Sequence, residues 1–270
     1  MAKAVELSIL IVSYNAKADL ARCLHSLHHP PPTASREIVV IDNASSDGSA
    51  DAARQWPDVH VIEMDRNFGF AVANNVGFRA STGQYVLLLN SDTVVPPGAI
   101  DRLVAELEQD PDVAVVGPRL VDAAGEPELS FGRMITPLTE WQQKRLARGL
   151  ADRDPAISSR VREMTTRRQR PDWVSGACLL VRRNDAQAVG FLDERYFMYT
   201  EDVDFCAAIR ARGRSVLYAP EIEVVHLRGR SVAAEPAATS EAYRRSHLAF
   251  YEKHHPQLSR LLRLYRWLRH

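Results

Sequence analysis

Three aspartates and a histidine stand where a folded chain presents side chains to a ligand. Asp42 and Asn43 follow the β-rich run EIVVI and lead into ASSDGS, and Asp92 follows Asn90 and Ser91 after YVLLL. Asp202 lies within YFMYTEDVDFCAAIRARG, and His226 ends EIEVVH. In open α/β sheets ligands bind beyond the carboxyl ends of the strands. There Asp42 is suited to accept the N3 hydrogen of uracil or thymine, and equally suited to be a turn residue like Ser45, Ser46 and Asp47. Asp92, with oxygen-bearing neighbours, suits Mg²⁺ or Mn²⁺, which take one or two protein carboxylates and complete their shell with phosphate and water; Asp is also common in loops. With Thr200 as N-cap, Glu201 and Asp202 become first-turn residues that any helix dipole favours. Asp202 also begins the apolar stripe Phe205, Cys206 and Ile209, so it borders the core, where partial desolvation raises a carboxylate toward a useful general base. A histidine at a strand end such as His226 is more often a hydrogen-bonded structural residue than a ligand.

Positioning these groups requires strands that end beside them. The first 120 residues alternate β-rich runs (Ser8–Val12, Glu37–Ile41, His60–Glu63, Tyr85–Leu89, Val113–Val116) with helical stretches near Lys17–Leu27, Ser49–Gln55, Phe70–Ala80 and Gly98–Glu108. That alternation predicts a parallel sheet covered by helices, and the continuous runs ILIV and YVLLL fit strands buried on both faces. Arg133 to Pro171 has no clear period and reads as an irregular excursion. Beyond it come a strand over Asp172–Arg183, a helix from Glu201 to Arg212 ending at Gly213, strands near Ser215–Tyr218 and Glu223–Val225, and two helices split by Pro256 in the tail from Glu241.

The 270 residues are 46% hydrophobic and 25% charged, the composition of an ordinary folded protein, and no apolar run approaches the roughly 20 residues of a membrane span. Three widely spaced cysteines suggest neither disulfides nor a Cys-rich zinc site, pointing to a reducing, cytoplasmic setting. The formal charge is zero, yet residues 130–170 carry +6 and residues 241–270 carry +5, leaving −11 for the remainder. An acidic body with two basic appendages suits a metal site in one part and an anionic partner near the other, and solvation alone accounts for basic surface equally well. No nucleic-acid-binding motif accompanies the basic residues, so nucleic acid is not an expected partner.

The segments LSILIVSYN, EIVVIDNASSDGS, RNFGFAVANNVGF, YVLLLNSDTVVPPGAI, WVSGACLLVRR, YFMYTEDVDFCAAIRARG and VVHLRG thread residues 7–230 in order. Together they resemble the inverting family 2 glycosyltransferases of the GT-A fold, most closely bacterial rhamnosyltransferase-like enzymes acting on cell-surface polysaccharides. The resemblance implies an α/β, Rossmann-like, mostly parallel sheet flanked by helices with a C-terminal helical tail. Residues 1–235 would form the GT-A domain, with a nucleotide-sugar half (1–120) and an acceptor half (121–235) that carries the excursion 133–171; residues 236–270 would form the basic tail.

By the same resemblance Ser13, Tyr14, Asp42, Arg66, Asn67, Gly69, Phe70, Asn74, Asn75, Asn90 and Ser91 fall around the nucleotide. Asp92 falls on the last acid of a DxD metal motif whose first acid is here Asn90, and His226 on a histidine that completes the metal shell in some relatives. Asp202 falls on the catalytic base, and Trp173, Gly176, Glu201 and Asp204 on the acceptor side. The helix from Phe70, with Gly69 before it, is suited to hold phosphate at its N-terminus. The implied reaction passes a sugar, rhamnose or similar, from a dTDP or UDP donor to a hydroxyl of a cell-surface glycan or lipid-linked acceptor, with Mg²⁺ or Mn²⁺. Absence of QxxRW and of membrane spans points away from processive synthases. The tail recurs Arg260, Arg263, Arg266 and Arg269 among Leu, Tyr and Trp, a basic amphipathic pattern suited to peripheral association through residues 257–270 with the inner face of a membrane, or to packing on the body or on a second copy in a homodimer. Two rivals remain. A sugar-nucleotide nucleotidyltransferase would need a Gly-rich, basic N-terminal signature that VSYNAKADL lacks, and a non-catalytic nucleotide-sugar-binding or scaffold protein would suit the weakened metal motif at Asn90.

Overall fold

The computed structural model describes residues 5–227 and 236–259. Its first half alternates as the pattern requires: β1 (Leu7–Ser13), α1 (Lys17–His28), β2 (Arg36–Asp42), α2 (Ser49–Arg54), β3 (Val59–Glu63), α3 (Phe70–Ala80), β4 (Tyr85–Asn90), β5 (Thr93–Val94), α4 (Ala99–Gln109) and β6 (Val113–Val121). The second half follows with β7 (Phe131–Gly132), α5 (Pro137–Ala151), α6 (Pro155–Thr165), β8 (Trp173–Val174), β9 (Cys178–Arg182), α7 (Arg183–Ala188), α8 (Glu201–Ala211), β10 (Ser215–His226) and α9 (Pro236–His254).

Eight strands form one sheet in the order β3-β2-β1-β4-β9-β6-β10-β5, while β7 pairs only with β8. β9 runs antiparallel to both β4 and β6, and β5 antiparallel to β10; the other six strands share one direction. The carboxyl ends of those six, and the start of β9, therefore meet along one edge. The continuous apolar runs are explained by burial on both faces. In β1, Leu7, Ile9 and Ile11 pack with Leu20 and Leu24 of α1 and Leu103 and Leu107 of α4. Leu10 points the other way, into a cluster with Phe78 of α3, Phe205 and Ile209 of α8 and Phe250 of α9.

Several expectations are corrected. The excursion 133–171 holds two ordered helices, α5 and α6. Gly149 is the one fully buried residue of α5, so no core-facing stripe marks it in the sequence. Its start is nevertheless fixed by a capping box between Thr136 and Thr139, with Pro137 at the first helical position, and α6 starts in a similar way at Asp154-Pro155. The strand expected over Asp172–Arg183 is broken into β8 and β9, and the two expected near Ser215 and Glu223 are one strand, β10, with a register shift between Ala219 and Glu223. The tail helix begins at Pro236, and a helical turn follows at 256–259; the Arg260 to Arg269 repeat lies outside the described residues. Among the described residues no helix is long and apolar enough to cross a membrane.

Candidate active site

β1 and β2 end side by side, with Ser13 registered to Asp42. Both side chains are buried, Asp42 at 2% exposure. Asp42 Oδ2 accepts the Ser45 N–H at 2.9 Å, while its Oδ1 has no partner, and neither has Ser13 Oγ. Buried polar atoms are almost always paired, so orphaned acceptors at the carboxyl edge mark a place for a ligand. Asn74 of α3 adds a third: its Nδ2 donates to the Phe70 carbonyl at 2.9 Å, and its buried Oδ1 is unpartnered. Tyr14 is half-buried just beyond Ser13, and Ser91 is buried at the turn after β4.

The turn before α3 is organised by a residue that sequence reasoning passed over. Buried Asn43 donates to Asn67 Oδ1 at 2.8 Å and accepts the Phe68 N–H at 3.0 Å. Asn67 is thereby spent on the turn, and Arg66 lies exposed with its guanidinium 4.5 Å from the Phe68 ring centre. Gly69 has φ +86°, and a Cβ there would stand 2.1 Å from the Phe197 carbonyl oxygen. That oxygen accepts the Phe70 N–H at 2.6 Å. The close approach that Gly69 permits is therefore made by Phe197 of the chain itself and not by a phosphate, and the Phe70 N–H is taken at the start of the helix expected to hold one.

A second group gathers where β4, β5 and β10 end. His226 pairs with Thr93 across β10 and β5, and the Leu227 N–H donates to the Asp92 carbonyl at 2.8 Å. His226 Nε2 lies 3.2 Å from Asp92 Oδ1 and 3.4 Å from Asn90 Nδ2, and its Nδ1 lies 3.2 Å from Glu128 Oε2. Burial pulls the imidazole pKa down, but the hydrogen bonds to Asp92 and Glu128 outweigh it and raise the value to about 9. Two ligands at right angles on a cation with bonds of about 2.1–2.2 Å stand about 3 Å apart, so Asp92 and His226 fit as neighbouring donors. No group of three protein ligands converges on one point among the described residues, so oxygens from outside the protein would have to complete a shell. Glu128, 5% exposed, was not singled out in the sequence. It lies beyond β6, where Val121 bridges Pro127, and no feature of the sequence marked it.

The third group is built on α8. Tyr199 and Thr200 both have left-handed backbones, φ +72° and +68°, a costly conformation for residues with a Cβ. Thr200 is the N-cap by position, but its side chain caps nothing and its Oγ1 is unpartnered. Asp202 partly substitutes for it. Its Oδ1 accepts the Val203 N–H at 2.8 Å, and its Oδ2 accepts the Gly176 N–H at 2.9 Å. A Cβ at Gly176 would stand 3.4 Å from both Asp202 Cβ and Phe70 Cε1, so these three residues converge. Glu201 is buried at 6% exposure with Oε2 unpartnered. Burial and then the Asp202 charge push its pKa well up. Burial also raises Asp202, against the pull of the Gly176 and Val203 N–H groups. Two backbone N–H groups favour the charged form of Asp202, and Glu201 Oε2 accepts no such bond. The Asn90 N–H donates to the Ala177 carbonyl at 2.9 Å, tying the Asp92 group to the Gly176 turn.

Three of the expected site residues are held elsewhere. Asn75 clamps the backbone of Leu192 through both its amide groups and reaches Glu194 at 3.0 Å. Trp173 is 8% exposed, covers Gly132 and donates from Nε1 to the Arg133 carbonyl at 2.9 Å. Asp204, 2% exposed, meets Lys253 at 2.8 Å, His254 at 2.6 Å and the Tyr196 hydroxyl at 3.3 Å, so it anchors α9 instead of facing an acceptor.

Comparison with known proteins bears on this arrangement. Residues 8–176 match the family model described as Glycosyl transferase family 2. The N-acetylglucosaminyl-diphospho-decaprenol L-rhamnosyltransferase of Mycobacterium tuberculosis is 30% identical over 262 residues, covering 92% of this chain and 85% of the relative. The low-salt glycan biosynthesis hexosyltransferase Agl10 of Haloferax volcanii is 26% identical, covering 82% and 67%. Among solved structures, the mannosyltransferase PcManGT of Pyrobaculum calidifontis, in complex with GDP-Man and Mn²⁺, aligns with TM-score 0.62 at 19% identity over 97% of this chain and 69% of that one. GalNAc-T7 with UDP, GalNAc and Mn²⁺ aligns with TM-score 0.61 at 21% identity over 84% and 44%. The two structures establish the GT-A fold. The family model spans more than half the chain and the mycobacterial relative nearly all of it: the chain belongs to glycosyl transferase family 2 and is a glycosyltransferase.

Proposed function

We propose that this enzyme transfers a rhamnose-like sugar, with inversion and without processivity, from a dTDP or UDP donor to a hydroxyl of a lipid-linked glycan at the inner face of a membrane. The observation that carries the donor reading is the unpartnered, buried Asp42 Oδ1 beside Ser13 Oγ, an acceptor waiting for a ring N–H such as N3 of a pyrimidine. The acceptor reading is drawn from the mycobacterial relative, whose name gives a lipid-linked diphosphate sugar as its substrate. On this reading residues 1–120 serve the donor, 121–235 the acceptor, and 236–270 form the tail.

Asp202 takes the proton of the acceptor hydroxyl as its oxygen bonds to the anomeric carbon, and the bond from that carbon to the diphosphate oxygen breaks on the opposite face. The Gly176 and Val203 N–H groups hold the Asp202 carboxylate in place beside the incoming hydroxyl. Asp92 and His226, with Asn90 beside them, would hold a divalent cation. When bound, such an ion neutralises the charge that grows on the departing diphosphate.

The test is a thermal-shift panel of UDP, dTDP, GDP and CMP, each with and without Mg²⁺ or Mn²⁺, on wild type and Asp92→Ala. A ligand at 100 times its Kd stabilises by about 2.7 kcal/mol, a shift of about 5–10 °C for a chain of this size. One pyrimidine diphosphate should shift the wild type only with metal, and the variant not at all. No shift by any nucleotide would overturn the reading.

A further inference from the structure

Helix α5 turns an unusual face outward. Leu138 is 64% exposed and Trp141 59%, and the next such residue among those described, Leu258, is 37% exposed. Leu138, Trp141, Arg145 and Arg148 follow one another at intervals of three, four and three residues, so at about 100° per residue they share an arc of about 80° on one side of the helix. The Arg145 guanidinium lies 5.9 Å from the Trp141 ring centre. The far side holds α5 to the body, where Glu140 meets His247 at 2.7 Å and Tyr251 at 2.8 Å, while at its C-terminal end Gly149, bordering the stripe, packs against Ile157 of α6. Two apolar side chains followed by two arginines, on a helix secured from behind, is the chemistry of a surface that enters the headgroup layer of an anionic membrane. Asp152 and Asp154 line the same hollow of about 360 Å³ as Trp141, Arg145 and Arg148 and temper the charge there, while Lys144 adds a third cation to its lining.

Two placements favour a membrane over other occupants. His255 Nε2 lies 2.6 Å from the Ile135 carbonyl, so the turn that carries Leu258 abuts the start of α5. The sequence after Ser259, RLLRLYRWLRH, is itself basic and apolar. Were it to cover α5, its arginines would meet Arg145 and Arg148; facing one anionic surface, both segments gain. Moreover, α5 and α6 are inserted between β7 and β8, and β8 runs directly into the Gly176 turn that holds Asp202. We propose that the Leu138, Trp141, Arg145 and Arg148 face of α5 docks the enzyme on an anionic lipid bilayer, bringing the acceptor side of the catalytic site to the surface. The inference rests on the lipid-linked reading of the acceptor.

The experiment is co-sedimentation of the full chain with vesicles of phosphatidylcholine alone or mixed with phosphatidylglycerol, for wild type, Leu138→Ser/Trp141→Ser, Arg145→Gln/Arg148→Gln, and a variant with Arg260, Arg263, Arg266 and Arg269 changed to Gln. The α5 substitutions are at exposed sites, so melting curves and nucleotide-induced shifts should match wild type. Wild type should partition to anionic vesicles only, less so as salt rises, and each α5 variant should lose about tenfold or more in partitioning. Unchanged partitioning of both α5 variants, with loss confined to the arginine variant of 260–270, would overturn the proposal. So would a wild-type dimer in sedimentation that Leu138→Ser/Trp141→Ser converts to monomer, since the face would then be an interface between copies. Nucleotide shifts report on the donor site without lipid, and turnover of a water-soluble acceptor as fast as a lipid-linked one would overturn the acceptor reading while leaving vesicle binding intact.

Discussion

Replacing Asp202 by Asn separates the chemistry of α8 from its architecture. The wild-type carboxylate uses both oxygens, accepting the Gly176 N–H at 2.9 Å and the Val203 N–H at 2.8 Å. An amide of the same shape offers one oxygen and one NH₂, so one of those backbone donors is left facing another donor. A buried donor without a partner costs about 1–3 kcal/mol. At about 2–4 °C per kcal/mol for a chain of this size, Tm should fall by about 2–12 °C, with the fold retained. The chemical loss is larger. Removing a positioned base costs about 10²–10⁴ in rate, equivalent to about 2.7–5.5 kcal/mol of barrier. The assay is release of nucleoside diphosphate in the presence of acceptor, run well below both melting temperatures, with donor affinity measured by calorimetry on the same preparations. Donor affinity should be unchanged and transfer nearly abolished. The pH profile adds a second readout. Burial raises the Asp202 pKa, so wild-type activity should fall with acid at a higher pH than an ordinary aspartate would give, and the residual activity of the variant should lack that limb. Transfer reduced less than about tenfold, with the acid limb intact, would refute Asp202 as the base.

Two further expectations probe the surroundings of the site. Glu128→Gln keeps the size of the side chain beside His226 Nδ1 but removes its charge, and loss of such an outer partner typically weakens metal binding about 10–100-fold; Mn²⁺ titrated in the presence of nucleotide and followed by electron paramagnetic resonance should show this, and unchanged affinity would remove Glu128 from the role. Glu140 is a stability test. Burial alone would raise its pKa, but hydrogen bonds from His247, Lys144 and Tyr251 hold it down at about 2 against an ordinary 4.5. A depressed carboxylate contributes stability above pH 4.5 that is lost as the pH falls toward 2, so Glu140→Gln should lower stability at neutral pH by about 1–2 kcal/mol, allowing for solvent screening, and flatten the acid limb of Tm against pH. Parallel curves for the two proteins would count against it.

The fold of the first half was largely legible because burial on both faces forces long apolar runs, as in ILIV and YVLLL, and Asp42 and Asn90 stand where two of those runs end. Asp202 was legible for a related reason, standing at the head of a helical stripe. What escaped depends on contacts between distant segments. Glu128 matters only because β6 and β10 are neighbours, and nothing within GEPELS announces that. Asp204 is indistinguishable in sequence from an acceptor ligand until Lys253 and His254 are brought to it. Helix α5 buries one glycine, so periodicity had nothing to register, although Thr136-Pro137 and Asp154-Pro155 were start signals in plain view. Gly69 was recognised as a point of close approach, but the sequence does not disclose that the visitor is Phe197.

The grip of α9 on Asp204 also orders events during synthesis. Asp204 lies two residues from Asp202 on the same helix, and its counter-charges, Lys253 and His254, are 49 and 50 residues further on. As the chain leaves the ribosome, every strand of the sheet and the whole of α8 emerge before those partners do. Until then Asp204 must stay hydrated, because burying an unpaired carboxylate costs several kcal/mol. The face of α8 that carries Asp204 therefore cannot seal against the body until the chain has been made through His254, so α9 closes the fold last in the order of synthesis.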